Sequence, residues 1–180
     1  MRSCKRTAAL RLRPPVRGCP WSAGVVQELV WSDELLAEAA SVRDDLERAL
    51  GVLGVPGELV LTGALSVAGA LTKGDVYLHL RVAPSEFDDV VERLRSAYPV
   101  RSPQSWAATL AVFELPGPRP TGLAVTPRQS EHDLRFRLAW EALRHDPGLL
   151  AEYNALKAAS AGTEEYEGRK SDFFSSVTGH

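Results

Sequence analysis

The sequence predicts an α/β (α+β) domain: a small mixed sheet flanked by helices, with a helical C-terminal region. Three observations carry this. Residues 59–82, LVLTGALSVAGALTKGDVYLHLRV, place an apolar run, a connection of glycines and small residues, and a second run of period-two alternation in succession. An amphipathic stripe precedes them, and from Ser130 onward the spacing is helical. Strands in the middle and helices at both sides form layers around one core, although periodicity does not order the strands. A chain of 180 residues that is 44% hydrophobic has enough apolar material for one such domain, placed over residues 25–180.

The elements follow in order. Ser32 ahead of Asp33 and Glu34 opens a helix whose apolar face is Trp31, Leu35, Ala39, Val42, Leu46 and Leu50, stopping at Gly51. Gly54, Pro56 and Gly57 make a turn, and Glu58–Thr62 reads as a strand. Lys73 and Gly74 deliver the next strand, Asp75–Val82. Pro84, Ser85 and Asp88 predict a capping box for a helix that carries Phe87, Val90, Val91, Leu94 and Tyr98 and ends before Pro99. Strands are expected over Ala107–Leu115 and Gly122–Val125. Three helices are expected over Ser130–Arg144, Pro147–Ala159 and Thr163–Val177, with Pro147 suited to a first helical turn.

Charge narrows the partners. Six basic residues and no acidic one lie in the first 17 positions, so the remaining 15 basic residues meet all 23 acidic ones and the body from residue 18 is about −8. Such a body repels a nucleic-acid backbone, and no nucleic acid is expected on it. Residues 1–24 read as a flexible basic tail. Their Arg-rich, acid-free start also resembles an organelle transit segment or a start-site extension. Cys4 and Cys19 fit free thiols in a reducing compartment, and a cytoplasmic location is expected. No apolar run approaches the roughly 20 residues that span a bilayer, so no membrane partner is expected.

The candidate site sits at the junction of the two central strands. Alternation puts Asp75, Tyr77 and His79 on the face opposite Val76, Leu78 and Leu80. Asp75 suits a hard cation such as Mg²⁺ or Mn²⁺, and His79 suits acid–base work. Glu114, on the Ala107–Leu115 strand, would supply a second carboxylate if a neighbouring strand brought it beside Asp75. Asp75, Tyr77, His79 and Glu114 are therefore the catalytic candidates, with Asp75 and Glu114 as metal ligands. Gly63, Ser66 and Gly69 bound a connection whose N–H groups would form an anion nest, and Lys73 is a mobile charge for phosphate. The connection lacks the order of a Walker loop. Arg135 is a further candidate for the cleft, while Asp133 and Arg137 have the spacing of a helical ion pair. Tyr153 with Lys157, and Tyr166 with Lys170, place a ring and an ammonium four residues apart, so that the ring packs while the lysine reaches a cleft and binds an anion.

The run LTGALSVAGALTKGDVY over residues 61–77 resembles the glycine-containing motif of the GrpB-like family, approximately H-I-G-S-T-(S/A)-V-P-G-L-x-x-K-P-x-x-D, and matches it at Gly63, Ser66, Val67, Gly69 and Lys73. Pro147 to Lys157, and Tyr166 through Lys170 to Phe173, resemble the family's C-terminal pattern, and the likeness runs over roughly residues 25–176. It implies a nucleotidyltransferase-like mixed sheet and a nucleotide or phosphorylated small molecule as ligand. The departures are chemical: Leu61 stands for the family's histidine, Ala64 for the serine of its Gly-Ser pair, and Tyr77 for its aspartate. Against the Asp-x-Asp pair of the wider superfamily, Asp75 keeps the first acid and Tyr77 replaces the second. Three functions stand open: ligand binding with or without transfer; a noncatalytic interaction protein, homo-oligomeric if Trp106 or Trp140 is exposed; and metal-light chemistry through His79 and Asp75 on a non-nucleotide substrate.

Overall fold

The computed structural model describes residues 28–179; the basic segment over 1–24, with Cys4 and Cys19, lies outside the described residues. Strand β1 (Val30–Trp31) runs into helix α1 (Ser32–Val52), followed by β2 (Glu58–Thr62), a single 3-10 turn at Ala64–Ser66, β3 (Leu71–Thr72) and β4 (Val76–Val82). Helix α2 (Phe87–Ala97), strands β5 (Ala111–Leu115) and β6 (Thr121–Pro127), and helices α3 (Glu131–His145), α4 (Pro147–Ser160) and α5 (Tyr166–Thr178) complete the chain. Among the described residues no helix is long and apolar enough to cross a membrane.

The main sheet has the order β2-β4-β6-β5 and is mixed, as expected: β4 runs parallel to β6 and antiparallel to β2, and β5 is antiparallel to β6. Parallel pairing of β4 with β6 requires a crossover, which α2 and β5 provide. Strand β4 has neighbours on both edges, and its period-two pattern divides the molecule. Val76, Leu78, Leu80 and Val82 are buried with Ala39, Leu46 and Leu50 of α1 and Phe87, Val90 and Leu94 of α2. Tyr77, His79 and Arg81 point to the other face, toward the C-terminal helices. A second apolar cluster there joins Val67, Ala70, Leu143 and Tyr153 with Trp140, Phe173 and Phe174.

Local predictions fail where long-range bonds take over. Ser32 begins α1 but is not its cap; its buried hydroxyl donates to the Val67 carbonyl at 2.7 Å and accepts from the Ala70 N–H at 3.2 Å. The expected capping box of α2 is replaced by a 3-10 turn at Pro84–Glu86 with no side-chain cap. Only Ala111–Leu115 of the expected 107–115 strand is extended, because Ala107 and Leu110 close a turn on each other. The ribbon β1–β3 was not foreseen. Its outer edge is answered by α4: Asn154 Oδ1 accepts from the Leu71 N–H at 2.8 Å, Asn154 Nδ2 donates to the Gly69 carbonyl at 2.9 Å, and Lys157 Nζ donates to the Leu71 carbonyl at 2.8 Å.

Candidate functional site

A cleft opens where the β2–β4 junction meets α4 and α5. Gly63 (φ 74°) turns the chain out of β2, and Gly74 (φ 86°) turns it into β4. These left-handed conformations strain other residues. Lys73 and Asp75, on either side of Gly74, line a cavity of about 100 Å³ together with Tyr77, Lys157, Tyr166 and Lys170. Tyr77 and Gly122 are cross-strand partners, and the ring spreads over the space that two glycines leave: a Cβ at Gly63 would stand 3.2 Å from it, and one at Gly122 3.3 Å. The Tyr77 hydroxyl reaches Asp75 Oδ2 at 3.4 Å, and burial together with that carboxylate pushes the phenol up. Asp75 Oδ1 is buried and has no hydrogen-bond partner.

Three ammonium groups line the cavity with this carboxylate. Lys73 Nζ lies 4.2 Å and Lys170 Nζ 5.3 Å from the centre of the Tyr166 ring. Lys157 is 4% exposed, with Nζ 5.0 Å from the Tyr153 ring centre. Burial, then Lys170 and Lys73, lowers Lys157 to about 8. Glu167 pairs with Lys170 at 2.6 Å, so the acidic groups of the cleft are Asp75 and Glu167 against three lysines.

Of the residues expected to form the site, Gly63, Lys73, Asp75, Tyr77, Lys157 and Lys170 converge. The others do not. Strand β6 stands between β4 and β5, so Glu114 faces Gly122, which in turn faces Tyr77. That separation is two strand spacings, roughly 10 Å. The expected pairing of Glu114 with Asp75 is thus overturned by strand order. The Gly69 N–H is already given to Asp33 Oδ2 at 2.8 Å, and the Ser66 hydroxyl donates to the Gly63 carbonyl and accepts from Arg144 Nη2 at 2.9 Å; neither lines the cleft. Arg135 does not line it either.

His79 lies on the same sheet face but under α3, 1% exposed, with Nε2 2.7 Å from Thr126 Oγ1 and its ring edge-on to Phe136. Burial lowers it to about 4, so it is neutral near pH 7. Asp133 does not pair with Arg137; it is fully buried and takes Arg81 Nε at 2.6 Å and Nη2 at 3.1 Å, with the Gln129 N–H at 2.8 Å. Burial opposes ionisation of Asp133, and these bonds outweigh it, leaving its carboxyl below the usual range. Trp106 and Trp140 are both half-buried, so neither the exposure that would favour self-association nor the full burial that would count against it is met.

Sequence reasoning missed Arg101 and Trp140. Arg101 Nη1 would stand 3.1 Å from a Cβ at Gly122, and its guanidinium lies 5.7 Å from the Tyr77 ring centre. Trp140, in the middle of α3, walls the cleft from inside. The metal pair of a nucleotidyl transfer centre does not fit these residues. Asp75, the residue before β4, is the one carboxylate at the strand junction, Tyr77 fills the position two residues on, and among the described residues no group of three His, Cys, Asp or Glu side chains is placed to hold a metal ion.

No family model and no curated protein sequence matches the chain. Among solved structures it is similar to the conserved protein GrpB from Enterococcus faecalis, at 14% identity and a TM-score of 0.65 over 84% of this chain and 95% of that one. The Cid1 poly(U) polymerase bound to MgGTP is 17% identical over 70% of this chain and 42% of its own, at a TM-score of 0.49. The family resemblance carried by residues 61–77 and 147–173 thus holds as a likeness of architecture, and the chain has the fold of GrpB.

Proposed function

We propose that the cleft binds a phosphorylated small molecule, a nucleotide among the candidates, with its phosphate held by lysines. The observation that carries this reading is the gathering of Lys73, Lys157 and Lys170, from the β3–β4 connection, α4 and α5, into one cavity with Asp75; Lys73 and Lys170 lie over the Tyr166 ring and Lys157 beside Tyr153. With Lys170 answered by Glu167, Lys73 and Lys157 share one carboxylate, Asp75, and a further anion offsets the positive charge that remains. Phosphate oxygens meet that need as acceptors of charge-assisted hydrogen bonds. Asp75 Oδ1, which lacks a partner, accepts from a hydroxyl or amino group on the ligand body, and the exposed Tyr77 ring offers that body an aromatic surface. Transfer of a nucleotidyl group is not part of the proposal, because a single carboxylate does not hold the paired cations that such chemistry uses.

Calorimetric titration of the full chain with ATP, GTP, CTP, UTP and inorganic tripolyphosphate, each with and without Mg²⁺ or Mn²⁺, tests the reading. Saturable binding that is lost in Lys157→Met and weakened in Asp75→Ala supports it. Silence of the folded protein across the whole panel rejects it.

A further inference from the structure

A second cavity, of about 300 Å³, lies beside the cleft on the same face of the sheet. The register explains its floor: Val60 faces His79 and Thr62 faces Tyr77, so these side chains share one side of β2 and β4. Helix α3 forms the wall with Phe136, Trp140 and Arg144, which recur every four residues. Because β2 is an edge strand of the sheet, the cavity opens laterally. Trp140 separates it from the lysine cleft and lines both.

Its charges are unevenly answered. Arg81 is held by buried Asp133 and by Glu58 at 2.8 Å, and Arg137 stands 3.5 Å from Glu141. Arg144 is exposed and among the described residues bonds only neutral groups, giving Nε to the Ser66 carbonyl at 3.0 Å and Nη2 to the Ser66 hydroxyl at 2.9 Å. Among the described residues Arg144 is therefore the guanidinium of this cavity that no carboxylate meets, and it lies beside two aromatic rings. Glu58 and Glu141 at the rim oppose a multiply charged phosphate. A single carboxylate is compatible with both facts.

We infer that this cavity is a second small-molecule site, for an aromatic or apolar monocarboxylate whose carboxylate meets Arg144 while its body packs on Trp140 and Phe136. His79, buried and committed through Nε2 to Thr126, lies beneath the floor. The volume is at the lower end of ligand pockets, which restricts the occupant to a compact molecule. Nothing in this assignment depends on what the lysine cleft binds.

The test is calorimetric titration of the full chain with 1-naphthoate and with its neutral analogue 1-naphthalenemethanol, with circular dichroism to establish that each variant is folded. The wild type is expected to bind naphthoate saturably and the alcohol roughly tenfold more weakly. Arg144→Gln should erase that preference, Val60→Phe should fill the floor and remove binding of both, and Glu141→Gln should tighten naphthoate by relieving a rim carboxylate. Absence of saturable naphthoate binding by folded wild type overturns the assignment. So does a carboxylate preference that survives Arg144→Gln, or binding that Val60→Phe leaves intact.

Discussion

Tyr77 lies over Gly122, its partner across the β4–β6 pair, in the space where a second strand carboxylate of an Asp-x-Asp pair would project. The substitution Tyr77→Asp places an acid two residues after Asp75 on the same face of β4. It should therefore gain Mn²⁺ affinity by about tenfold or more over wild type, since a hard cation gains a second charged oxygen ligand. Titration calorimetry with Mn²⁺ alone decides it. Equal affinity in the two proteins would show that the missing carboxylate is not what sets this cleft apart.

Lys157 links ligand affinity to pH. With its folded value at about 8, it is an ammonium below that pH and a neutral amine above it. Affinity for ATP should hold at about pH 7 and fall as the pH passes about 8, and Lys157→Met should be weaker and flat across the same range. The stability sign is separate. The unfolded chain keeps the proton up to about 10.5 and the folded one releases it near about 8, so this residue adds stability as pH rises between the two.

His79 should make the fold acid-sensitive. Its folded value, about 4, lies below the ordinary 6.5, so the unfolded chain binds the proton first as pH falls. Stability is full above about 6.5 and is lost progressively down to about 4, by an amount on the order of 3 kcal/mol. Urea unfolding at several pH values, compared with His79→Gln, measures this. An equal slope in both proteins between pH 6.5 and 4 would assign the loss to other groups.

The Arg81–Asp133 pair tests how the sheet holds α3. Asp133 is fully buried, and Asp133→Ala leaves the Arg81 guanidinium without its main partner, at a cost of about 3–5 kcal/mol. The double change Arg81→Met with Asp133→Leu removes both charges and should recover much of that loss. Denaturant midpoints of the single and double variants give the coupling directly.

Much of the cleft was legible because it rests on local spacing. Alternation in residues 75–82 placed Asp75 and Tyr77 on one face, and the four-residue spacing of Tyr166 and Lys170 brought ring and ammonium together on α5. What escaped depends on bonds between distant segments. Nothing near Glu114 in the chain says that β6 inserts between β4 and β5. The anion nest expected at Gly69 failed because Asp33, 36 residues earlier, takes its N–H. Arg101 was missed because it sits in irregular chain between α2 and β5 and reaches the Tyr77 ring only after the sheet is assembled. His79 has the alternation of a site residue, but α3 covers it, and no pattern within β4 records that.

The side chains of α4 stand toward β3 as a neighbouring strand would: the Asn154 amide gives one donor and one acceptor, and Lys157 adds a second donor, to backbone groups of Gly69 and Leu71. Removing the chain after Asp146 would turn this ribbon into a bare sheet edge, with the self-pairing hazard that such edges carry. Since Lys157 belongs to both the ribbon and the cleft, fraying of α4 and opening of the cleft become one event, and amide exchange at Leu71 would report the breathing of the cleft.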